Sequence, residues 1–166
     1  MMPSTEVRQI IKLIQEAECA VWLDGGWGVD ALLEKQTRPH QDLDVAIKLA
    51  EVDTIKRLLE NRGYEVFEDE MPTRLELRDA QDYRIDLHPL TFDERGNGLQ
   101  RLQDGSFGIY TVRGLAGTGK IGGVKVKCLS PELQVRFHEG YTPDENDRHD
   151  VALLVERYHL VPPIGS

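Results

Sequence analysis

The sequence predicts an α+β fold with a mixed β-sheet and flanking helices, and three observations lead there. Helical and strand periodicities alternate through the N-terminal part, short strand candidates crowd the middle, and two capped helix starts lie near the end. That order of elements suits a mixed sheet covered by helices.

Each element has its own signal. Val7, Ile10, Ile11, Leu13, Ile14 and Ala17 form a helical stripe over 5–17, with Ser4 or Thr5 available as its cap. The apolar run 20–23 ends at Asp24-Gly25-Gly26, which reads as a strand stopped by a tight turn, and 29–34 then reads as helical. Over 42–47, Leu43, Val45 and Ile47 alternate with Asp42, Asp44 and Ala46, the period-2 pattern of a strand. A helix over 51–62 follows, closed by Gly63. Strands are expected at 64–67, 74–78 and 83–88, and two more at 106–112 and 122–128 flank a glycine-rich connection as a hairpin. Ser130-Pro131-Glu132 starts one helix with a proline at its first position. Thr142-Pro143-Asp144-Glu145 starts another, with Thr142 and Glu145 spaced as a capping box, and Val151, Leu154, Val155 and Tyr158 face inward along it.

Length and composition bound the function. The 166 residues are read as one domain, 1–166, with a core over about 20–128 and a C-terminal helical part over about 129–160. With 40% hydrophobic and 30% charged residues the composition is that of a globular protein. Neither a long apolar run nor a basic-then-apolar leader occurs, so a cytoplasmic protein with no membrane partner is expected. Cys19 and Cys128 sit in apolar, strand-like contexts and are expected as reduced core thiols. A net charge of −9 argues against a nucleic-acid partner. It serves solubility, and it also suits a cationic small substrate.

The chemistry-bearing residues are carboxylates. Asp42 and Asp44, at i and i+2 on one strand, leave the same face, roughly 6–7 Å apart at a rise of about 3.3 Å per residue. Like charges so close repel unless a cation lies between them. Asp86 repeats the arrangement in Arg84-Ile85-Asp86-Leu87-His88. If the two strands are neighbours, three carboxylates converge on a site suited to Mg²⁺, which prefers hard oxygen ligands. Alone, an Asp-x-Asp pair is a common solvated strand end. Upstream, however, Asp24-Gly25-Gly26-Trp27-Gly28 lies between a strand and a helix, where glycine admits a close ligand and helix N-termini attract phosphate.

With those motifs in place, the chain resembles the DNA polymerase β nucleotidyltransferase superfamily. The carriers are Gly25-Gly26-Trp27, then Thr37-Arg38-Pro39-His40-Gln41-Asp42-Leu43-Asp44, then Asp86. Asp24 to Asp30, Arg84 to Pro89 and Cys128-Leu129-Ser130 are similar to the small antibiotic nucleotidyltransferases that modify lincosamides, or aminoglycosides at the 2″ position. Length and His138-Glu139-Gly140-Tyr141 lean toward the lincosamide branch. The resemblance implies a polymerase β-like nucleotidyltransferase fold and Mg²⁺-dependent transfer of AMP, or another nucleoside monophosphate, to an antibiotic hydroxyl. Asp42, Asp44 and Asp86 would hold the metal, with Asp86 also the general base. Gly25, Gly26 and the Trp27 backbone would cradle phosphates; Arg38 and His40 would contact phosphate or simply occupy a surface loop. Apart from the resemblance, an alternative reading has some of Asp144, Glu145, Asp147 and Asp150, with Glu70 and Tyr141, lining a pocket for a cationic antibiotic. The oligomeric state stays open, a homodimer sharing its pocket being one way for so small a domain to enclose a drug.

Two other readings stand beside this one: a minimal nucleotidyltransferase that modifies a protein partner, and a non-catalytic nucleotide-binding module. Three carboxylates argue against the module. Other signals are discounted. Gly114-Leu115-Ala116-Gly117-Thr118-Gly119-Lys120 nearly spells a P-loop, but Ile121 replaces the needed hydroxyl and a strand follows, so a hairpin loop is expected. His138, His149 and His159 fit no zinc spacing. Asp144, Glu145, Asp147 and Asp150 are explained by the helix dipole without function.

Overall fold

The computed structural model describes residues 1–163. In chain order its elements are α1 (Ser4–Glu16), β1 (Trp22–Asp24), α2 (Gly25–Leu33), β2 (Asp42–Lys48), α3 (Val52–Asn61), β3 (Glu65–Glu70), β4 (Arg74–Arg78) and β5 (Arg84–Phe92). There follow β6 (Gly98–Arg101), β7 (Phe107–Tyr110), β8 (Gly117–Ile121), β9 (Val124–Cys128), α4 (Pro131–Arg136) and α5 (Glu145–Tyr158). Among the described residues the strands form one mixed sheet in the order β3-β4-β5-β2-β1-β9-β8, with β6 and β7 extending from the far end of β5. The β2–β5 and β1–β9 pairs are parallel; the others are antiparallel.

Alternation along the central strands divides the faces. Leu43, Val45 and Ile47 of β2, with Ile85 and Leu87 of β5, enter the main core beneath the apolar stripes of α1 and α3. Asp42, Asp44, Asp86 and His88 therefore leave the opposite face. Farther along that face Trp22, Ala46, Leu90, Tyr110, Leu129 and Leu133 make a second apolar cluster, which covers one end of the strands and leaves the carboxylate end open.

Several local expectations are corrected. Gly25 and Gly26 are not a tight turn; they open α2 directly, because the Asp24 side chain caps it by accepting the Gly25 N–H at 2.7 Å. Helix α1 is capped by Pro3 rather than Ser4 or Thr5, its carbonyl accepting the Glu6 and Val7 amides. Helix α5 is capped by Asp144, whose reciprocal partner is Asp147, not by Thr142 and Glu145. The expected hairpin of 106–112 with 122–128 is replaced by two shorter ones, β6–β7 and β8–β9. Gly122 and Gly123 both have positive φ, the requirement of a two-residue hairpin turn, so β9 pairs with the segment immediately before it. The near-P-loop is accordingly not a hairpin loop but runs into β8, a strand rather than a helix. The helix over 51–62 and its glycine stop hold, with α3 followed by Gly63 at φ +101. Cys19 and Cys128 are both buried and free.

Candidate active site

Sheet register builds the site. Asp24 of β1 lies opposite Asp44 of β2, Asp44 opposite Asp86 of β5, and Asp86 opposite Glu76 of β4. Four acidic residues thus form one row across four neighbouring strands. Ligand atoms of Asp44, Asp86 and His88 fall within 4.8 Å of one another. Asp42 is exposed and lies two residues along β2, outside that group. The structure brings Asp44 and Asp86 together as the sequence implied, and adds His88, two residues beyond Asp86 on the same face of β5.

The electrostatics fit a divalent cation. Burial pushes the Asp44 carboxyl up to about 6, with His88 opposing and the charges of Asp42 and Asp24 adding to the rise. Burial disfavours a charged His88, while the hydrogen bond and charge of Asp44 favour it and raise its affinity for a proton. Such crowding of negative charge is what a bound metal ion relieves. The two carboxylates are suitable oxygen donors for a hard cation, with His88 bonded to one of them. Space is also kept: a Cβ on Gly25, which has φ +57, would collide with Asp44 Oδ2.

A polar chain behind the row fixes its members. His88 Nε2 lies 3.3 Å from Asp44 Oδ1, and Gln100 Nε2 lies 3.1 Å from His88 Nδ1. Gln100 also donates from Nε2 to the Thr73 carbonyl at 2.9 Å, and its Oε1 accepts from the Tyr110 hydroxyl at 3.0 Å. Tyr110 lies 3.3 Å from Asp24 Oδ2, returning to the residue that caps α2. Because Thr73 C=O can only accept, it orients the Gln100 amide. Gln100 and Tyr110 escaped the sequence reading, since nothing local marks a polar residue on a strand as half of a long-range pair.

The Thr37–Asp44 motif is spent largely on holding α2 in place. Thr37 Oγ1 donates to Asp30 Oδ1 at 2.6 Å, and His40 Nε2 meets Asp30 Oδ2 at 2.5 Å. Asp30 and His40 are both buried. Arg38 reaches Asp150 of α5 through Nε at 2.9 Å and Nη2 at 2.8 Å. Asp150 is buried as well, so the dipole account of the acidic cluster fails for it: its charge is taken out of water and matched by a guanidinium. Asp144 and Asp147 do serve the helix end. Arg38 and His40 converge over Gly26, where a Cβ would lie 2.5 Å from His40 Nδ1 and 2.7 Å from Arg38 Nη2. Trp27 is buried as a whole, while Gly25 and Gly26 are partly open at the entrance of α2. First-turn amides of a helix lack intrahelical acceptors and suit an anion.

The remaining expected residues lie apart. Glu70 is ion-paired with Arg74, on the β4 side of the row. Tyr141 is half exposed beside α5, on a cavity of about 410 Å³ lined also by Pro143, Val151 and Val155.

Comparison with known proteins agrees with this architecture. A lincosamide resistance protein of Staphylococcus haemolyticus is 32% identical over 149 residues, 90% of this chain and 92% of that protein. A 2″-aminoglycoside nucleotidyltransferase of Klebsiella pneumoniae is 27% identical over 128 residues, 77% of this chain and 68% of that protein. The crystal structure of the lincosamide antibiotic adenylyltransferase LnuA, lincomycin-bound, aligns with a TM-score of 0.83 at 31% identity, covering 92% and 96% of the two chains. That of ANT(2″)-Ia in complex with adenylyl-2″-tobramycin aligns with a TM-score of 0.73 at 20% identity, covering 93% and 88%, a likeness of fold. The polymerase β-like α+β fold expected from the motifs is the fold observed. A family model described as aminoglycoside-2″-adenylyltransferase matches residues 6–154, and the chain belongs to that family of nucleotidyltransferases.

Proposed function

We propose that the chain transfers AMP from ATP to a hydroxyl of a lincosamide antibiotic, releasing pyrophosphate. The observation that carries this reading is the row Asp24–Asp44–Asp86 running from the start of α2 to the β4 side. It sets a phosphate-binding helix end, a cation site and a candidate base side by side. The lincosamide choice is supported by the 32% identical relative, which matches nearly its whole length.

Gly25, Gly26 and the Trp27 backbone hold the β- and γ-phosphates at the opening of α2, with Arg38 and His40 above Gly26. Asp44 and Asp86, with Asp42 alongside, would hold Mg²⁺; when bound, it supplies charge neutralisation on the phosphates and eases ionisation of the acceptor hydroxyl. His88 keeps the Asp44 carboxylate in place through Oδ1. Asp86 accepts the hydroxyl proton, the acceptor oxygen forms its bond to the α-phosphorus, and the bond to pyrophosphate breaks in line. A carboxylate is a weak base for such a hydroxyl, so alignment carries much of the rate.

The test is pyrophosphate release with Mg²⁺, ATP and lincomycin, comparing wild type with Asp86→Asn. Asp86→Asn should lower turnover by about 10³-fold or more while leaving the thermal transition in place. Near-normal turnover in the variant would remove Asp86 from its role. Turnover with an aminoglycoside and none with lincomycin would move the substrate to the 2″-aminoglycoside branch, as would fit the family model.

A further inference from the structure

The row of acidic residues has two ends, and they must serve different substrates. Phosphates belong at the Asp24 end, where α2 begins. In-line displacement brings the attacking oxygen from the side opposite the leaving pyrophosphate. The acceptor therefore approaches past Asp86, over β4 and β3. The surface waiting there is unusual in charge. Glu68 and Glu70 of β3 and Glu76 of β4 surround a guanidinium from within the protein, that of Arg74.

Arg74 touches each carboxylate of this platform. Its Nε donates to Asp86 Oδ1 at 3.1 Å and Oδ2 at 3.3 Å, and its Nη2 to Asp86 Oδ2 at 3.2 Å. Its Nη1 pairs with Glu70, and with Glu68 at 3.2 Å; Nη2 lies 3.7 Å from Glu76. Arg78 takes Glu76 from the other side at 3.1 Å. The backbone just before Arg74 is held too, because the Thr73 carbonyl accepts from Gln100. Four carboxylates thus carry two protein cations among them, and the point closest to all four is filled.

We infer that Arg74 sets acceptor specificity: its guanidinium stands where an acceptor ammonium would otherwise bind, so the site takes a hydroxylated acceptor bearing little positive charge in preference to a polycation. This rests on the transfer reaction proposed above and on the acceptor lying beyond Asp86. A polyamine acceptor must either displace Arg74 or bring like charge against it, and like-charge juxtaposition is strongly unfavourable. A monoamine can present its hydroxyl to Asp86 and keep its amine in solvent. Glu70 then acts on the acceptor through Arg74 rather than directly.

Calorimetric titration of the nucleotide-free protein tests this, with tobramycin as the polycationic probe and lincomycin as the monoamine. Arg74→Ala and Arg74→Gln should bind tobramycin about tenfold more tightly than wild type, and Arg74→Lys should bind it as wild type does. Lincomycin affinity should change by less than about threefold in all three. Equal tobramycin affinity across the four proteins overturns the proposal, and so does a gain in Arg74→Lys as large as in the neutral variants. Should Arg74→Ala fail to fold, Arg74→Gln, which keeps more of the side chain, decides alone. Transfer to lincomycin by wild type is measured separately. Its absence would sink the reaction while leaving the binding comparison to be judged on its own result.

Discussion

The two ends of the acidic row are built in opposite ways. On the side of α2, the polar ties are buried or partly buried: Asp30 with His40 ten residues on, and Arg38 with Asp150 across 112 residues. On the acceptor side, the charges of the β3–β4 hairpin join residues close in sequence, Arg74, Glu70 and Glu76 being partly covered while Glu68 is more than half exposed and β3 is exposed along most of its length. In the transfer proposed above the nucleotide stays the same whatever the acceptor, so its cradle gains from rigidity. Acceptors differ, and exposed charges can be exchanged at little cost in stability. Burial thus separates what the fold fixes from what substrate choice can change.

Three substitutions probe that contrast. Asp30→Ala, on the rigid side, leaves His40 and Thr37 without their shared partner in a buried setting, and should cost about 3 kcal/mol in urea unfolding. A loss below about 1 kcal/mol would show that the buried ties are not what holds α2. Gly26→Ala should act on binding as well as on stability, because His40 and Arg38 belong to those same ties. Its methyl group must push His40 and Arg38 aside, raising the KM for ATP about tenfold with the acceptor KM nearly unchanged. Parallel changes in both constants would mean the two ends are not separable. The smallest effect belongs to Glu68→Gln on the acceptor side, worth less than about 0.5 kcal/mol of stability, since an exposed ion pair is weak. A thermal melt that drops by several degrees would contradict the picture of an adjustable surface.

What the sequence revealed follows the same divide between local and distant causes. Alternation in 42–47 placed Asp42 and Asp44 on one face because the period of a strand is a local property, and Ile85 and Leu87 did the same for Asp86. Neighbouring strands then made the pair converge. The hairpins were misread because which strand pairs with which depends on turns as short as Gly122-Gly123, a weaker signal than a hydrophobic run. Strand β6 escaped for a related reason, being four residues long and joined to β7 by the turn at Asp104-Gly105. Asp150 looked like one more helix-start acid, and only the folded chain shows its partner to be Arg38. His88, Gln100 and Tyr110 join Asp44 to Asp24 in a polar chain whose links span up to 86 residues, and no window of sequence contains it.

The reach of Asp150 also bears on biosynthesis. A polypeptide leaving the ribosome exposes Asp44, and then Asp86, well before the helix that grips Arg38 has emerged. The loop above Gly26 can therefore be tied to α5 only after nearly the whole chain has been made.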